Sequence, residues 1–342
     1  MITTAGLHWE KLTLKLRNPF RLSYGVSETR QAYWLRLADD SGWGEGTIPP
    51  YYGVPDAALE AYWANAAAQA RPLPESVEQI EGWIGTDGPA TARCALELAL
   101  YDRLARQAGL PLYQFLGLPA PLPLETSFTI SIDSPEAMAA QAAAIPDWQI
   151  IKLKLGSDDD IARLTAVRAA RPDARLRVDA NAGWTLENAR TMLRALEPFD
   201  LEMIEQPLPK DDFAGLGALQ DLTPLPIVAD ESVQTLADVE RLAEAGVRGV
   251  NVKLMKVGGL TPALRILRLA RSAGMQVMLG SMVETSLGAT AMAHLAGLAD
   301  WLDLDAPLLI SNDPFEGITF DNNLRISLPQ RPGIGVLRRN LA

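Results

Sequence analysis

From about residue 124 the chain repeats itself. Eight short apolar runs, TSFTISI, QIIKLKL, RLRVDA, LEMIEQ, LPIVADE, RGVNVKL, MQVMLGS and DWLDLD, alternate with amphipathic stretches of helical length such as TLENARTMLRALEP and TLADVERLAEAG. Each run is rich in Ile, Val or Leu, as a strand buried on both faces must be. Asp or Thr sits near several helix starts, and Gly or Pro follows several ends. Lys154, Asp179, Glu205, Asp230 and Lys253, which mark the ends of runs two to six, lie 25, 26, 25 and 23 residues apart. A βα unit recurring at that interval, with eight strands, predicts an α/β fold with a (β/α)-barrel over residues 121–315. A doubly wound open sheet has the same rhythm but usually announces a phosphate loop, and neither GxGxxG nor GxxxxGK[ST] is present.

Residues 1–120 have a different texture. Strand-like LHWEKLTLKL leads into a Pro/Gly-bearing loop around NPFRLSYG, and AYWLRLADDSGWGEG reads as two β pieces joined by a DDSG turn. Helical periodicity begins near Ala57 and is strongest in PATARCALELALYDRLARQAG, which Gly109 punctuates. Strands followed by helices predict a separate α+β domain. After DPFEGITF the repeat stops, and residues 316–342 are expected to pack back on that first domain.

Composition narrows the chemistry. At 48% hydrophobic and 21% charged residues the chain is globular rather than disordered. No apolar run approaches the roughly 18–20 residues that span a bilayer, and MITTAGLHWEKLTLKL lacks a secretory pattern. The single cysteine, Cys94, excludes an internal disulfide and a multi-cysteine metal site. A formal charge of −11 disfavours nucleic acid and anionic membranes as partners. With only His8 and His294 available, a cytoplasmic enzyme of this kind must work through carboxylates, lysines and backbone.

The polar residues mark the C-terminal ends of the runs: Lys152 and Lys154 on the second, Asp179 and Asn181 on the third, Glu205 on the fourth. Asp230 and Glu231 follow on the fifth, Lys253 on the sixth, Ser281 after the seventh, and Asp303 and Asp305 on the eighth. Any one strand can end on a charge as it meets solvent, but in a barrel these ends converge on one mouth, where active sites form. Asp179, Glu205 and Asp230 would repel one another there unless a cation neutralised them. Oxygen ligands without His or Cys suit Mg²⁺. Asn181, Glu231 and Ser232 are placed to orient a ligand carboxylate by hydrogen bonding. Lys154 and Lys253 fall on opposite sides of the acidic strands, as two bases serving opposite faces of one carbon require. A nearby Mg²⁺ and a second lysine lower a lysine's pKa toward a working base. Lys152 is expected to turn to the other face of its strand, with twist at the strand end bringing it back to the mouth.

KLKLG, VDANAGW, IEQPL, ADES and NVKLMKVGG, in this order and spacing, resemble the enolase superfamily within its muconate-lactonizing subgroup. The resemblance spans nearly the whole chain and implies that residues 1–120 form a capping domain carrying specificity loops. It implies that Asp179, Glu205 and Asp230 hold Mg²⁺, that Lys154 and Lys253 are the acid/base pair, and that Lys152 stabilises an enolate oxygen. The shared half-reaction is removal of a proton alpha to a carboxylate through an ene-diolate. The His–Asp subgroup is excluded, because neither histidine falls at the mouth. Asp303–Leu304–Asp305 resembles the DxD motif of dipeptide epimerases, in which the acids bind the substrate's ammonium. An L-Ala-Xaa dipeptide is therefore the expected substrate. N-acylamino acid racemase, o-succinylbenzoate synthase and muconate cycloisomerase chemistry on the same scaffold are the alternatives, with a non-catalytic ligand-binding barrel more remote. Thr129 at the first strand and Ser281 are further candidates for substrate contact, with Phe20, Tyr24, Tyr51 and Tyr52 in the two capping loops. Members acting on Ala-Glu tend to place an arginine a few residues beyond Pro-Phe. This chain has Tyr24–Gly25 there and Arg21 earlier, so a hydrophobic or broad Xaa is expected. The resemblance alone suggests a homo-oligomer.

Overall fold

Each of the eight apolar runs contains a strand in the computed structural model, which describes residues 6–38, 40–47, 49–69, 71–121 and 125–339. The first part of the chain holds β1 (Leu7–Leu22), β2 (Gly25–Leu37) and β3 (Trp43–Thr47), then α1 (Asp56–Ala68), α2 (Val77–Ile84), α3 (Ala90–Ala108) and the single turn α4 (Leu112–Phe115). The repeat then runs β4 (Phe128–Ile130), α5 (Pro135–Ala143), β5 (Ile150–Lys154), α6 (Asp160–Ala170), β6 (Arg175–Asp179), α7 (Leu186–Leu196), β7 (Leu201–Glu205) and α8 (Phe213–Gln220). It continues through β8 (Ile227–Ala229), α9 (Leu236–Glu244), β9 (Gly249–Val252), α10 (Leu254–Val257), α11 (Leu260–Ser272), β10 (Gln276–Gly280), α12 (Ser286–Ala293), β11 (Trp301–Asp303) and the short α13 (Ala306–Leu309). Neighbours in sequence pair in parallel from β4 to β11. A parallel bridge between Thr126 and Leu302 joins the two ends, so the sheet closes into a barrel. Side-chain caps from Ser134, Thr185, Thr235 and Thr285 start α5, α7, α9 and α12, as their sequence positions predict. Among the described residues no helix is long and apolar enough to cross a membrane.

The NPFRLSYG segment differs from the loop the sequence suggests. β1 continues through it and pairs with β2 as far as Leu22 opposite Gly25, after a register break between Lys15 and Phe20. Pro19 falls inside that break, where its missing N–H costs no ladder bond. The result is a long hairpin arm whose tip reaches the barrel: Ser23 Oγ donates to the Asn181 carbonyl at 2.7 Å.

The final segment is tied to the first part of the chain. Phe315 packs edge-on against Trp34 at 5.2 Å, and buried Asp102 of α3 accepts hydrogen bonds from Ile334 N and Trp43 N at 2.7 and 2.9 Å. The ends of the two outer segments, 1–5 and 340–342, lie outside the described residues. His294 is buried at the end of α12, with Tyr113 N donating to its Nδ1 at 3.2 Å, and His8 is exposed on β1.

Candidate active site

Strand register builds the site. β5 and β6 pair Lys154 with Asp179, and β6 and β7 pair Asp179 with Glu205, so these ends lie side by side. Asp179, Glu205 and Asp230 are buried, and each offers an oxygen within 4.8 Å of the others'. Lys154 Nζ lies 2.6 Å from Asp179 Oδ2, and Lys253 Nζ lies 2.8 Å from Asp230 Oδ2. Lys152 Nζ sits within the acid layer, 3.1 Å from Asp179, 2.8 Å from Glu205 and 2.7 Å from Asp303. The opposite-face expectation for Lys152 is therefore corrected. Residues two apart on a strand share a face, so both lysines point inward without any twist.

The electrostatics follow from burial in a small space. Desolvation pushes the Glu205 carboxyl up to about 8, and neighbouring Asp179 adds to the rise. Burial also acts against ionised Asp179 and Asp230, but Lys154 and Lys152 for the first, and Lys253 and Lys256 for the second, hold both below the usual carboxylate range. Burial alone would lower Lys152 and Lys253. Asp303 and Glu205 outweigh it at Lys152, as Asp230 does at Lys253, and both ammonium groups stay above the ordinary lysine range.

Over this layer lies a cavity between barrel mouth and hairpin arm. Lys154, Asp230 and Lys253 reach its lining, whereas Lys152, Asp179 and Glu205 lie outside it, beneath its floor. Asn181 and Glu231 line it. Asn181 N donates to Asp179 Oδ1 at 2.8 Å, and its Nδ2 donates to Glu231 Oε1 at 3.0 Å. Thr129, Ser281, Phe20 and Tyr24 also face it. Tyr51 does not. It stacks on Tyr24 at 4.7 Å beside an outer groove, and the adjacent Tyr52 takes the place in the cavity lining. A single 3₁₀ turn over Pro50–Tyr52 sends the two rings in different directions, which sequence pattern does not reveal. Arg21 points away, to Asp133 at 3.4 Å.

Asp303 and Asp305 both line the cavity but differ in their partners. Asp303 is held by Lys152 and by Ser127 Oγ, each at 2.7 Å. Burial opposes its ionisation, yet Lys152 brings its pKa down to about 2. Asp305 accepts one backbone bond, from Thr129 N at 2.7 Å, and burial with Asp303 nearby pushes its carboxyl up to about 7.

Sequence reasoning missed several members. Lys256, one helical turn past Lys253, donates to both the carboxylate and the carbonyl of Asp230. The KLMK spacing was the available signal. Gln206 Oε1 accepts from Asp230 N at 2.7 Å, while its Nε2 donates to Ser232 Oγ at 2.8 Å. Asn251 Nδ2 donates to Glu205 Oε1 at 2.8 Å. Arg30 reaches the cavity from β2. Backbone strain is concentrated here too: Asn181, Ala182 and Gln206, immediately beyond the third and fourth strands, have φ of 42°, 58° and 34°.

The donor set can be tested against a cation. The three acids supply only oxygen, and three further buried acceptors around them, Asn181 Oδ1, Glu231 Oε2 and Asn251 Oδ1, have no protein donor. Hard-oxygen ligation with acceptors left over for coordinated water fits Mg²⁺, which keeps part of its hydration.

A closed parallel barrel whose mouth holds three buried carboxylates between lysines at the ends of its second and sixth strands defines an enolase-like barrel. Residues 136–339 match the family described as enolase C-terminal domain-like, and the chain belongs to that family. It is 38% identical to the L-Ala-D/L-Glu epimerase of Bacillus subtilis, over 96% of this chain and 94% of that one. It is 35% identical to the hydrophobic dipeptide epimerase of Roseobacter litoralis, over 96% and 98%. The crystal structure of a dipeptide epimerase from Cytophaga hutchinsonii, complexed with Mg and D-Ala-L-Val, superposes with a TM-score of 0.92 at 32% identity, covering 100% of this chain and 97% of that one.

Proposed function

We propose that this chain is a Mg²⁺-dependent dipeptide epimerase that inverts the alpha carbon of the C-terminal residue of L-Ala-Xaa substrates by two-base proton transfer. The observation that carries the reading is the pair Asp303 and Asp305 in the lining of the cavity that Lys154 and Lys253 also face. A dipeptide has an alpha-carboxylate and an ammonium, and the cavity offers matching charges for each. Mg²⁺ held by Asp179, Glu205 and Asp230 supplies the positive charge that lets a carbon next to a carboxylate release its proton.

The remaining work belongs to side chains. Asp305, held only by neutral donors of Thr129, has more capacity to receive an ammonium than Asp303, which the cationic Lys152 already engages. Lys152, kept protonated among three acids, sets a fixed positive charge beneath the site of the substrate carboxylate and stays out of the proton exchange. Lys154 and Lys253 approach the alpha carbon from β5 and from the end of β9. In the L to D direction Lys154 takes the proton and Lys253 returns one to the other face, a role that suits the ammonium held by Asp230. Tyr24, Tyr52, Pro49 and Val283 wall the space left for the Xaa side chain and admit a range of sizes. Residues 1–120 act as the cap, 121–315 as the catalytic barrel and 316–342 as the strap between them, in a cytoplasmic enzyme without a nucleic-acid partner.

Pooled L-Ala-L-Xaa dipeptides incubated in D₂O with and without Mg²⁺ test the proposal. A Mg²⁺-dependent gain of one mass unit, with the D epimer found by chiral analysis, is the expected result. Exchange confined to N-acylamino acids, unaffected by Asp303→Asn, would replace the dipeptide with an acylated substrate.

A further inference from the structure

Three cationic side chains line the cavity: Lys154, Lys253 and Arg30. The two lysines are paired, with Asp179 and Asp230. Arg30 has no carboxylate within ion-pairing distance among the described residues. Its one hydrogen bond runs from Nη1 to Ser27 Oγ at 2.7 Å, although it is only 8% exposed. A guanidinium carries five N–H donors, so most of this fork is uncommitted. Burial lowers its pKa, and the Tyr24 phenol, not a carboxylate, is what works against the effect. A buried charge without a partner is costly, and structures retain one where an outside group completes it.

Its position indicates which group that is. With the alpha-carboxylate at the acid layer, the ammonium at Asp305 and the alpha carbon between Lys154 and Lys253, the Xaa side chain must run toward the hairpin arm. Tyr24, Tyr52, Pro49 and Val283, apolar or aromatic, line the cavity there, and Arg30 lies beside Tyr24 where the cavity and the outer groove adjoin. Such a wall accommodates methylenes and offers a cation to whatever ends them. We propose that Arg30 is the specificity-determining residue of the site, receiving the terminal carboxylate of the side chain on the carbon being inverted. An acidic Xaa is then preferred over a neutral one of the same shape. This assignment rests on the dipeptide-epimerase reading and refines the hydrophobic-or-broad expectation drawn from Tyr24–Gly25, since a cation enters the cavity from the opposite strand of the hairpin.

The test measures kcat/KM for L-Ala-L-Glu, L-Ala-L-Gln and L-Ala-L-Leu with the wild type, Arg30→Met and Arg30→Lys. The wild type should favour Glu over Gln, and Arg30→Met should reduce that ratio roughly 10- to 100-fold, the equivalent of one charge-assisted hydrogen bond, mainly through KM. Arg30→Lys should recover part of it. A merely structural Arg30 would lower all three substrates together and leave the ratios unchanged, which overturns the assignment. A wild type that turns over Leu but not Glu also overturns it while leaving the epimerase reading intact. Absence of exchange with all three dipeptides in the wild type would instead remove the epimerase reading and this assignment with it.

Discussion

One residue, Leu153, separates Lys152 from Lys154, and their surroundings give the two lysines different tasks. Lys152 touches three acids and Lys154 one, so the first is a fixed charge and the second is available to exchange a proton. Asp305 adds a pH signature. Its carboxyl, raised to about 7 by burial and by Asp303, binds an ammonium only when ionised. KM for a dipeptide should therefore fall as pH rises through about 7, then rise again as the substrate ammonium loses its proton near 8. Asp305→Asn should raise KM roughly 10- to 100-fold and remove the lower limb of that profile; a KM that stays flat from pH 5 to 7 in the wild type would contradict the role. Most of these residues were legible because each is the last polar residue of an apolar run. Arg30 was not, because it reaches the cavity through a hairpin arm that no periodicity marks, and the choice of Tyr52 over Tyr51 was hidden in a 3₁₀ turn.

At the scale of elements, the βα repeat was legible because every unit carries its own apolar run and amphipathic stretch within about 25 residues, and several carry a side-chain cap. The hairpin arm was hidden because Pro19 reads as a loop residue while it occupies the one break in the ladder. Close packing between strands leaves a testable mark at Gly280, at the end of β10. A Cβ there would lie 2.6 Å from Asn251 Oδ1 and 3.0 Å from Lys253 Cε. Gly280→Ala should displace Lys253 and, through Asn251, Glu205. We expect kcat to fall at least 10-fold, a misplacement effect of ordinary size, with the secondary structure seen by circular dichroism retained. Wild-type kcat in this variant would show that Lys253 is less tightly placed than its contacts indicate.

At the scale of the molecule, buried acids of the first part of the chain fasten it to the barrel. Glu45 of β3 accepts from Thr285 N and Gly288 N, both at 2.9 Å, at the start of α12, just beyond the Ser281–Val283 loop that lines the cavity. Glu97 of α3 accepts from Thr261 N at 3.2 Å at the start of α11, where a Cβ on Gly259 (φ 126°) would collide with its carboxylate. Burial pushes both carboxyls up to about 7 despite these bonds. A carboxyl that holds its proton more tightly folded than unfolded stabilises fully below its unfolded pKa, near 4.5, and the contribution is lost as pH rises through about 7. Thermal melts of Glu45→Gln should therefore vary less between pH 5 and 8 than those of the wild type, and equal variation would argue against the clamp. Mg²⁺ at about 100 times its Kd should add roughly 3 kcal/mol, a rise of about 4 °C in Tm for a chain of this size, and chelation should reverse it; a Tm indifferent to both would contradict metal binding by the acid triad.

In the proposed reaction Lys154 and Lys253 serve opposite faces of one carbon. The direct measurement is alpha-proton exchange in D₂O by Lys154→Ala and Lys253→Ala, each given the L,L and L,D epimers of one accepted dipeptide. Both variants should fail to epimerise. Lys253→Ala should still exchange only the L,L epimer and Lys154→Ala only the L,D epimer. Loss of exchange with both epimers in either variant, or retention of the same epimer by both, would contradict the two-base account.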